Sequence, residues 1–458
     1  MSVRPAMPTR QVITPSRQIS APTLISLYAL AALSPLLLSL LIPLRGHGPL
    51  LHTVGSSLGL VGFALILMHF VLTARLKWTE KPVGLDLLYQ FHRSMAILSF
   101  LLILAHPLAL AASRGHWSLL YSLSEDWYII LGRVVLLVLT AQVLLAIFRA
   151  GLKLEYQKWK LLHNGFAALV LVGGFVHTLY ASGDSKSLAM RVLWSVLFTT
   201  AVAAYLWHQL GQPARLRRRP YRVTEVKQET PDVWTVSLAP KDGRVPLSYL
   251  PGQYQYLTLF QDGLPVQEHP FTFSSSPSRP GTVSATIKAS GDWTKLIRTV
   301  QPGDDGWVEA PYGRFSHVLH PEERDLVFIA GGVGITPLMS MLRYIQDTQE
   351  PRRVLLLYAN RSEADIIFRD ELAEMERKSA SEDIGYHLQV VHVLSKPDAE
   401  WSGETGRLDA GKIGRLCGDL ADKSFYICGP TGLIDATAAT LHEMGATPER
   451  IHFERFAW

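Results

Sequence analysis

Four histidines in the first half of the chain have a spacing that suits metal ligation. His92 and His106 are fourteen residues apart, and so are His163 and His177. In a helix, fourteen residues make roughly four turns, so both histidines of a pair lie on nearly one face, about 21 Å apart along the axis. Two neutral imidazoles on opposite sides of a haem iron form a low-spin, six-coordinate site suited to electron transfer. The spacing therefore predicts two b-type haem sites, with His92 facing His163 and His106 facing His177.

The competing interpretation of these histidines is structural. A single histidine inside a membrane helix more often bonds to a neighbouring helix than to a metal, but the same interval on two segments favours ligation. Arg93, Lys158 and Lys160 are candidates to pair with the propionates of an inner haem. Arg133 is the corresponding candidate for an outer haem, because a charge within an apolar span needs a partner. The lysines fit ordinary snorkelling to the interface equally well.

The segments that carry these histidines are long and apolar enough to cross a membrane. Six such segments are predicted, each close to the roughly 20 residues that a spanning helix needs: Ala21–Leu44, Leu51–Ala74, Tyr89–Ser113, Trp127–Ala150, Trp159–Ser182 and Leu188–Leu210. The first segment is too long for a signal peptide and is followed by further spans. The chain is 48% hydrophobic and most of that apolar content precedes Leu210, so it has a membrane half and a soluble half.

Basic residues indicate which ends of the spans face the cytoplasm, because short cytoplasmic loops are rich in Lys and Arg. Such residues follow spans two, four and six: Arg75, Lys77, Lys81, Arg149, Lys153, Lys158, Lys160, Arg215, Arg217, Arg218, Arg219 and Arg222. Both termini and the soluble half are therefore predicted to be cytoplasmic, with the spans in the lipid bilayer of the plasma (inner) membrane. No nucleic-acid partner is expected, because the net charge of +5 gathers beside apolar segments. The two cysteines, Cys417 and Cys428, are too few for a disulfide framework or a tetrahedral zinc site.

The soluble half begins with short alternating strands broken by Pro and Gly. Val233–Leu238, Gln253–Phe260 and Thr282–Lys288 are examples, and they predict a small antiparallel barrel. Within it, the run from His269 to Ser275 offers an aromatic to cover a flavin ring and a hydroxyl for its edge, with Ser274 as one candidate. Farther on, Lys288 to Thr294 is a strand that runs into Gly and a predicted helix start, whose N–H groups can hold a pyrophosphate.

From Asp325 onward the pattern changes to strand, glycine loop and helix. The strand Leu326–Ala330 is followed by Gly331-Gly332-Val333-Gly334-Ile335-Thr336-Pro337 and then the helix Leu338–Gln346. Glycines in this position allow a dinucleotide phosphate to approach the backbone, although Pro337 stands where the usual fingerprint has Gly or Ala. Later strands at Val354–Tyr358, Leu388–Leu394 and Phe425–Cys428 alternate with helices, which predicts a parallel sheet. Cys428-Gly429-Pro430 then lies at the carboxyl edge of that sheet, where ligands bind.

Taken together, these motifs resemble the ferric reductase and NADPH oxidase superfamily. The resemblance covers nearly everything after about residue 50 and rests on the order of the paired histidines, His-Pro-Phe-Thr, Gly-Asp-Trp-Thr, Pro-Tyr-Gly-Arg-Phe, the glycine loop and Cys-Gly-Pro. It implies a membrane all-α six-helix haem domain (21–212) after an N-terminal segment (1–20). An antiparallel β-barrel FAD domain (220–320) and an α/β nucleotide-binding domain (322–458) are expected to follow.

The resemblance also implies which residues bind each cofactor. FAD is assigned to His269, Pro270, Phe271 and Thr272 and to the segment Ser290, Gly291, Asp292, Trp293 and Thr294. NAD(P)H is assigned to Gly331, Gly332, Gly334, Thr336, Pro337, Cys428, Gly429 and Pro430. Related reductases end in an aromatic that stacks on the flavin, and either Phe456 or Trp458 can fill that role here. Arg361, just after a strand, is a candidate for the 2′-phosphate of NADPH, with a solvated loop arginine as the alternative.

The expected activity is electron transfer from cytoplasmic NAD(P)H through FAD and two haems to an acceptor outside, either a ferric complex or oxygen. Vertebrate-type oxidases have a second histidine one turn beyond the outer ligand, where this chain has Leu110. They also have an arginine early in span two, where this chain has Gly55-Ser56-Ser57. These departures favour a ferric complex over oxygen and leave a periplasmic redox partner open. The alternative from another class is a haem-binding membrane sensor or scaffold without turnover, and the complete flavin and nucleotide motifs argue against it.

Overall fold

The computed structural model describes residues 19–41, 49–181, 183–244, 247–279, 281–381 and 385–455. They form two compact units that divide between Pro213 and Ala214. The first unit is helical, with helices α1 (Ala21–Leu41), α2 (Leu50–Thr73), α3 (Lys77–Val83), α4 (Leu85–Arg114), α5 (Trp127–Phe148), α6 (Tyr156–Ala181) and α7 (Leu188–Leu206). A wider helical turn at Trp207–Gly211 joins α7 to α8 (Gln212–Arg217), which crosses into the second unit.

Six helices among the described residues are long and apolar enough to cross a membrane, namely α1, α2, α4, α5, α6 and the α7–α8 rod. This confirms the six predicted spans. The bounds differ most at two places: the α7–α8 rod runs to Arg217, beyond the predicted Leu210, and α4 begins four residues before the predicted Tyr89, after Gly84 at a positive φ of 87°. Residues 42–48 lie outside the described part of the chain, so the predicted end of span one at Leu44 has no counterpart here.

Helix α2 is the most enclosed of the spanning helices. Its residues from Leu65 to Phe70 are buried, and it packs against α1, α4 and α7, while α5 packs mainly against α6. Small residues let neighbouring helices approach closely. Gly174 of α6 is an example, because a Cβ there would lie 2.5 Å from the ring of Phe63 in α2. These contacts fix the helices that carry the paired histidines.

The second unit opens with an antiparallel sheet. Its strands are β1 (Tyr221–Thr230), β2 (Val233–Pro240), β3 (Tyr254–Phe260), β4 (His269–Thr272), β5 (Val283–Lys288) and β6 (Asp305–Tyr312), in the order β4-β3-β6-β1-β2-β5. An isolated antiparallel bridge between Phe273 and Ala285 joins the two ends of that order. The sheet thus closes on itself around an apolar core, as the alternating pattern predicts.

A parallel sheet follows. It comprises β7 (Asp325–Gly331), α9 (Ile335–Thr348), β8 (Arg353–Asn360), α10 (Arg369–Ser381), β9 (His387–Leu394), β10 (Glu404–Thr405), α11 (Ala410–Cys417), β11 (Lys423–Cys428), α12 (Thr431–Glu443) and β12 (Ile451–Phe453). The strand order is β10-β9-β8-β7-β11-β12, so the winding reverses between β7 and β11. Ligands of open α/β sheets bind at the carboxyl ends of the strands on either side of such a reversal.

Candidate functional site

The two outer histidines are held by the same arrangement on different helices. His106 of α4 has its Nδ1 2.8 Å from the carbonyl oxygen of Gly55, and His177 of α6 has its Nδ1 2.7 Å from the carbonyl oxygen of Tyr128. A carbonyl oxygen only accepts hydrogen bonds, so Nδ1 carries the proton in both rings. Nε2 of each neutral ring then has a free lone pair. A backbone carbonyl that fixes the tautomer in this way is the usual partner of a metal-binding histidine.

Glycines make room for both outer rings. Gly59 and Gly132 each lie one helical turn after the residue whose carbonyl accepts the hydrogen bond. A Cβ on Gly59 would lie 2.7 Å from Nδ1 of His106, and a Cβ on Gly132 would lie 2.5 Å from Cε1 of His177. His106 and His177 are also close enough to interact electrostatically. The predicted outer pair is therefore brought together.

The predicted inner histidines also face one another. The ring centroids of His92 and His163 are 6.5 Å apart, with the ring planes at 80°. A metal–imidazole bond is about 2 Å and an imidazole nitrogen lies about 1.2 Å from its ring centre, so two imidazoles on opposite sides of one ion have centroids roughly 6.4 Å apart. Nδ1 of His92 is buried and has no hydrogen-bond partner among the described residues. The spacing fits a shared haem iron.

Three residues around the inner pair did not enter the sequence prediction. His69 of α2 packs edge-on against His92 with 4.8 Å between ring centroids, and its Nε2 lies 3.4 Å from Oγ of Ser99. Gln142 approaches Nδ1 of His163 at 3.4 Å, and Trp159 packs on the same ring at 5.1 Å between centroids. His69 had a usable signal, because an ionisable residue deep in an apolar span marks a functional site. Gln142 and Trp159 are ordinary in such a helix and gave none.

Arg133, the candidate for an outer propionate, lies next to Gly132 in α5. Its Nη2 donates to the carbonyl oxygen of Ser122 at 2.5 Å, and its Nε is buried without a hydrogen-bond partner in the described part of the chain. An unpaired buried guanidinium nitrogen beside the outer pair suits an anionic group. Lys158, a candidate for the inner haem, instead forms an exposed ion pair with Glu155 at 3.2 Å, which fits the snorkelling alternative.

In the barrel, the two predicted flavin segments meet through one tryptophan. Trp293 is buried, donates from Nε1 to the carbonyl oxygen of Pro265 at 2.9 Å and packs on His269 with 4.3 Å between centroids. Phe271 lies nearly parallel to Trp293 at 6.0 Å. Residues 269–271 stay partly exposed on β4, whereas Thr272 is buried. A partly exposed aromatic on this strand can cover a planar ring, as the sequence predicts.

Two details of the flavin prediction differ from the structure. The hydroxyl of Ser274 is fully buried and accepts from the hydroxyl of Thr286 at 2.9 Å, so it is engaged inside the barrel. The hydroxyl of Thr294 accepts hydrogen bonds from the N–H groups of Ser290 and Gly291, at 3.1 and 2.8 Å. The helix that follows is a 3₁₀ helix of only six residues, Thr294–Thr299. Two N–H groups of this segment are thus used within the loop itself, and binding of a pyrophosphate by the segment stays a prediction.

The glycine loop and the Cys-Gly-Pro segment, predicted separately, pack directly against each other. A Cβ on Gly334 would lie 2.4 Å from the carbonyl oxygen of Cys428, and one on Gly331 would lie 3.0 Å from Cδ of Pro430. They follow β7 and β11, the strands between which the winding reverses. Gly332 has a positive φ of 54°, which favours glycine. Gly331 and Gly334 therefore lack a side chain for a physical reason, which is the close approach of the Cys-Gly-Pro segment to their backbone.

The side chains of this nucleotide site are mostly buried. Thr336 donates from its hydroxyl to the carbonyl oxygen of Val333 at 3.1 Å, and Pro337 is buried in the first turn of α9. Cys428 is also buried, and burial, together with the charge of Glu454, raises the pKa of its thiol. The thiol is therefore protonated at neutral pH. Arg361 directly follows β8 and is exposed, as expected for a residue that contacts a bound nucleotide or solvent.

Helix α9 fixes the flavin segment relative to the glycine loop. The hydroxyl of Ser340 donates to the carbonyl oxygen of Ser275 at 2.7 Å, and Arg343 donates to that of Ser274 at 2.5 Å. Arg279 forms an ion pair with Asp347 at 2.6 Å. The strand that carries His-Pro-Phe-Thr is thereby bonded to the helix that begins at the glycine loop. Hydride transfer depends on such fixed positioning.

Comparison with known families agrees with this division of the chain. Residues 58–174 match the family described as ferric reductase like transmembrane component, residues 220–304 match an FAD-binding domain, and residues 328–439 match an oxidoreductase NAD-binding domain. The chain is a fusion protein of the ferric reductase and NADPH oxidase type. It is thus a multi-pass membrane oxidoreductase with FAD- and NAD(P)H-binding domains, and the predicted family and fold class are confirmed. The C-terminal aromatics Phe456 and Trp458 lie outside the described residues.

Individual relatives resemble only part of this fusion. The glycine betaine monooxygenase reductase subunit of Pseudomonas aeruginosa is 32% identical over 244 residues, which are 52% of this chain and 64% of that protein. An NADPH oxidoreductase of Mycobacterium tuberculosis is 32% identical over 242 residues, 52% of this chain and 59% of that protein. The chain therefore spans less than two thirds of these relatives. The solved FAD/NAD-binding domain of nitric oxide dioxygenase from Vibrio cholerae is 27% identical, covers 52% of this chain and 97% of that one, and has a TM-score of 0.45.

Proposed function

We propose that this protein carries electrons from cytoplasmic NAD(P)H across the membrane to an acceptor on the other side, preferentially a ferric complex. FAD would supply the step between the electron pair of NAD(P)H and the single electrons that two b-type haems carry. His92 and His163 would hold the inner haem, and His106 and His177 the outer one. The observation that carries the proposal is the matched outer pair. His106 and His177 each donate from Nδ1 to a backbone carbonyl, so the Nε2 lone pair of each ring is available to a metal.

Residues of the two domains after the membrane half would bind and orient FAD and NAD(P)H. His269, Pro270, Phe271 and Thr272 with Trp293 would hold the flavin. The glycine loop and the adjoining Cys428-Gly429-Pro430 segment would hold NAD(P)H, with Arg361 contacting the 2′-phosphate of NADPH. Because its thiol is buried and protonated, Cys428 would line the nicotinamide site as a neutral group. Phe456 or Trp458 would cover the flavin until nicotinamide takes its place, as the family resemblance implies.

The preference for a ferric acceptor rests on the outer edge of the helical unit. Vertebrate-type oxidases have an arginine early in span two, where this chain has Gly55-Ser56-Ser57, and a second histidine at the position of Leu110. A Cβ on Gly55 would already lie 3.2 Å from Cδ2 of Leu110 and 3.0 Å from Cβ of Ala109. A side chain at Gly55 would therefore need its neighbours in α4 to shift. Reduction of an accessible ferric complex at a haem edge needs no such side chain.

Steady-state NADPH oxidation by the purified protein in liposomes tests the proposal. Ferric chelate and oxygen are offered separately and together, and we expect faster turnover with ferric chelate than with oxygen alone. Turnover that depends only on oxygen, yields stoichiometric superoxide and ignores ferric chelate would instead make the protein an NADPH oxidase. Anaerobic addition of NADPH should bleach the flavin absorbance. A flavin that stays oxidised would favour the sensor or scaffold alternative.

A further inference from the structure

A cluster of two histidines and one glutamate lies in the nucleotide domain, apart from the glycine loop. His320 and Glu323 belong to the segment that leads into β7, and His452 lies in the last strand, β12. One ligand atom from each residue lies within 4.8 Å of the other two. His320 and Glu323 precede the amino end of β7, whereas the glycine loop follows its carboxyl end. The cluster is therefore separate from the proposed nucleotide site.

The carboxylate at the centre of the cluster is buried and hydrogen-bonded. Oε2 of Glu323 accepts from the hydroxyl of Tyr426 at 2.6 Å, and Oε1 lies 2.8 Å from Nε2 of His452. A buried anion of this kind is normally paired or bound to a metal.

Hydrogen bonding does not account for the position of His320. Its ring lies over that of His452 with 4.2 Å between centroids and 35° between planes. Its Nδ1 comes only to 3.9 Å from Glu322 and 4.0 Å from Glu323, distances that are too long for hydrogen bonds. His320 therefore lies beside a second imidazole and a carboxylate, which is the neighbourhood of a metal-binding histidine.

The cluster lies beside an open cleft that is lined mostly by charged residues. His320 and Glu323 line a cleft of about 530 Å³ whose other lining residues include Glu322, Asp325, Asp422 and Glu449 against Arg324 and Arg450. The acidic groups outnumber the basic ones along this lining. The cleft is open, so water can complete a coordination sphere. Two imidazoles and one carboxylate with an open position form a recognised ligand set for Zn²⁺ and related ions.

We propose that His320, Glu323 and His452 bind a divalent first-row metal ion, with Zn²⁺ as the best match to two nitrogens and one oxygen. Such an ion would replace the Glu323–His452 hydrogen bond with two metal bonds and would draw in the nitrogen of His320. It would fasten β12 to the segment before β7. β12 is the last strand before Phe456 and Trp458, so the ion would anchor the strand that leads to the C-terminal aromatics.

The test is equilibrium dialysis of the tag-free, full-length protein in detergent against buffered Zn²⁺, with bound zinc measured by mass spectrometry. His320→Ala removes a ligand without breaking a hydrogen bond, and Glu323→Gln keeps the shape of the side chain while removing its charge. His387→Ala is the matched control, because His387 is an exposed histidine of the same domain. Unchanged flavin and haem absorbance in each variant would show that the fold is intact.

We expect the wild type and His387→Ala to bind one zinc ion per chain. Zinc affinity should be weaker in His320→Ala and Glu323→Gln. The weakening should be at least roughly 10- to 100-fold, since loss of even an outer-shell partner costs that much. X-ray absorption at the zinc edge should give two nitrogen ligands at about 2.0 Å. Equal zinc binding by His320→Ala and the wild type would overturn the proposal, and so would an absence of stoichiometric zinc in the wild type.

Discussion

Substitution of Gly132 by alanine should remove the outer haem selectively. The new methyl carbon would lie 2.5 Å from Cε1, 2.6 Å from Nδ1 and 3.1 Å from Nε2 of His177. Carbon atoms in contact are normally about 3.5–4.0 Å apart, so the ring must move by roughly 1 Å. Nδ1 of His177 is held by the carbonyl oxygen of Tyr128 at 2.7 Å, in the helix that carries Gly132. The ring cannot move that far and keep this bond.

The size of the effect follows from how little a metal ligand can move. Metal–ligand distances are tolerated within about 0.2 Å, several times less than the required shift. Loss of the hydrogen bond to the carbonyl alone costs roughly 10- to 100-fold in metal affinity, or about 1.4–2.8 kcal/mol. The added displacement of Nε2 should raise that cost further. We therefore expect the outer site to empty during purification while the inner site stays filled.

The measurement is the haem-to-protein ratio, which should be near two per chain in the wild type and near one in Gly132→Ala. Gly165→Ala is the matched control, because Gly165 also lies in a spanning helix but is exposed and an added Cβ would meet nothing within 4 Å. NADPH should still reduce the flavin and the inner haem in the variant, but turnover with ferric chelate should stop. A Gly132→Ala protein with two haems and an unchanged low-spin spectrum would refute the assignment of His177 as an axial ligand.

Three further outcomes are expected. His92→Ala should lower haem content only partly, because the ring of His69 lies 4.8 Å from that of His92 between centroids and can replace it as a ligand. The double variant His69→Ala with His92→Ala should retain about one haem per chain. Equal haem content in the single and double variants would contradict this role of His69. Gly334→Ala should slow the reduction of the flavin by NADPH, measured by stopped-flow absorbance, since its Cβ would lie 2.4 Å from the backbone of Cys428. Gly432→Ala is the control and should keep the wild-type rate, because an added Cβ there would meet nothing within 4 Å. Arg361→Ala should weaken NADPH relative to NADH, measured as the ratio of kcat/KM values, and an unchanged ratio would remove Arg361 from the site.

The fold was largely predictable from the sequence because its signals are long and periodic. Each spanning helix contains an apolar stretch of 18 residues, and strands such as β7 and β11 are short apolar runs bounded by turn residues. The order of flavin and nucleotide motifs then placed the two soluble domains. Helix ends were less predictable. The start of α4 depends on Gly84, which looks like an ordinary loop glycine in the sequence.

The site was predictable for residues that repeat a spacing and much less so for residues that support them. The equal histidine intervals predicted both pairs, but the carbonyls of Gly55 and Tyr128 carry no side-chain signal. The burial of Ser274 was not predictable for a related reason. A serine beside a flavin motif looks accessible in sequence, yet Thr272, Phe273 and Ser274 are all buried, and the hydroxyl of Ser274 is bonded to Thr286 inside the barrel. Burial after the end of β4 is decided by closure of the barrel, a long-range property.

The inner and outer pairs differ in how their rings are held, and this difference predicts their order of reduction potentials. Each outer imidazole donates to a carbonyl at 2.7–2.8 Å, which raises its basicity as a ligand. Among the described residues, the inner rings have only the 3.4 Å approach of Gln142 to His163 and no partner at Nδ1 of His92. More basic ligands stabilise the ferric state, so the outer haem should have the lower midpoint potential.

Electron transfer from the inner to the outer haem would then run slightly uphill within the protein. The membrane potential can offset that step, since moving one negative charge outward across the full bilayer gains about 2.3 kcal/mol per 100 mV. A redox titration of the wild type should resolve two midpoint potentials, and the single wave that remains in Gly132→Ala should coincide with the higher one. If the remaining wave coincided with the lower one, hydrogen bonding at Nδ1 would not be what sets the order, and burial or nearby charges such as Arg133 would have to outweigh it.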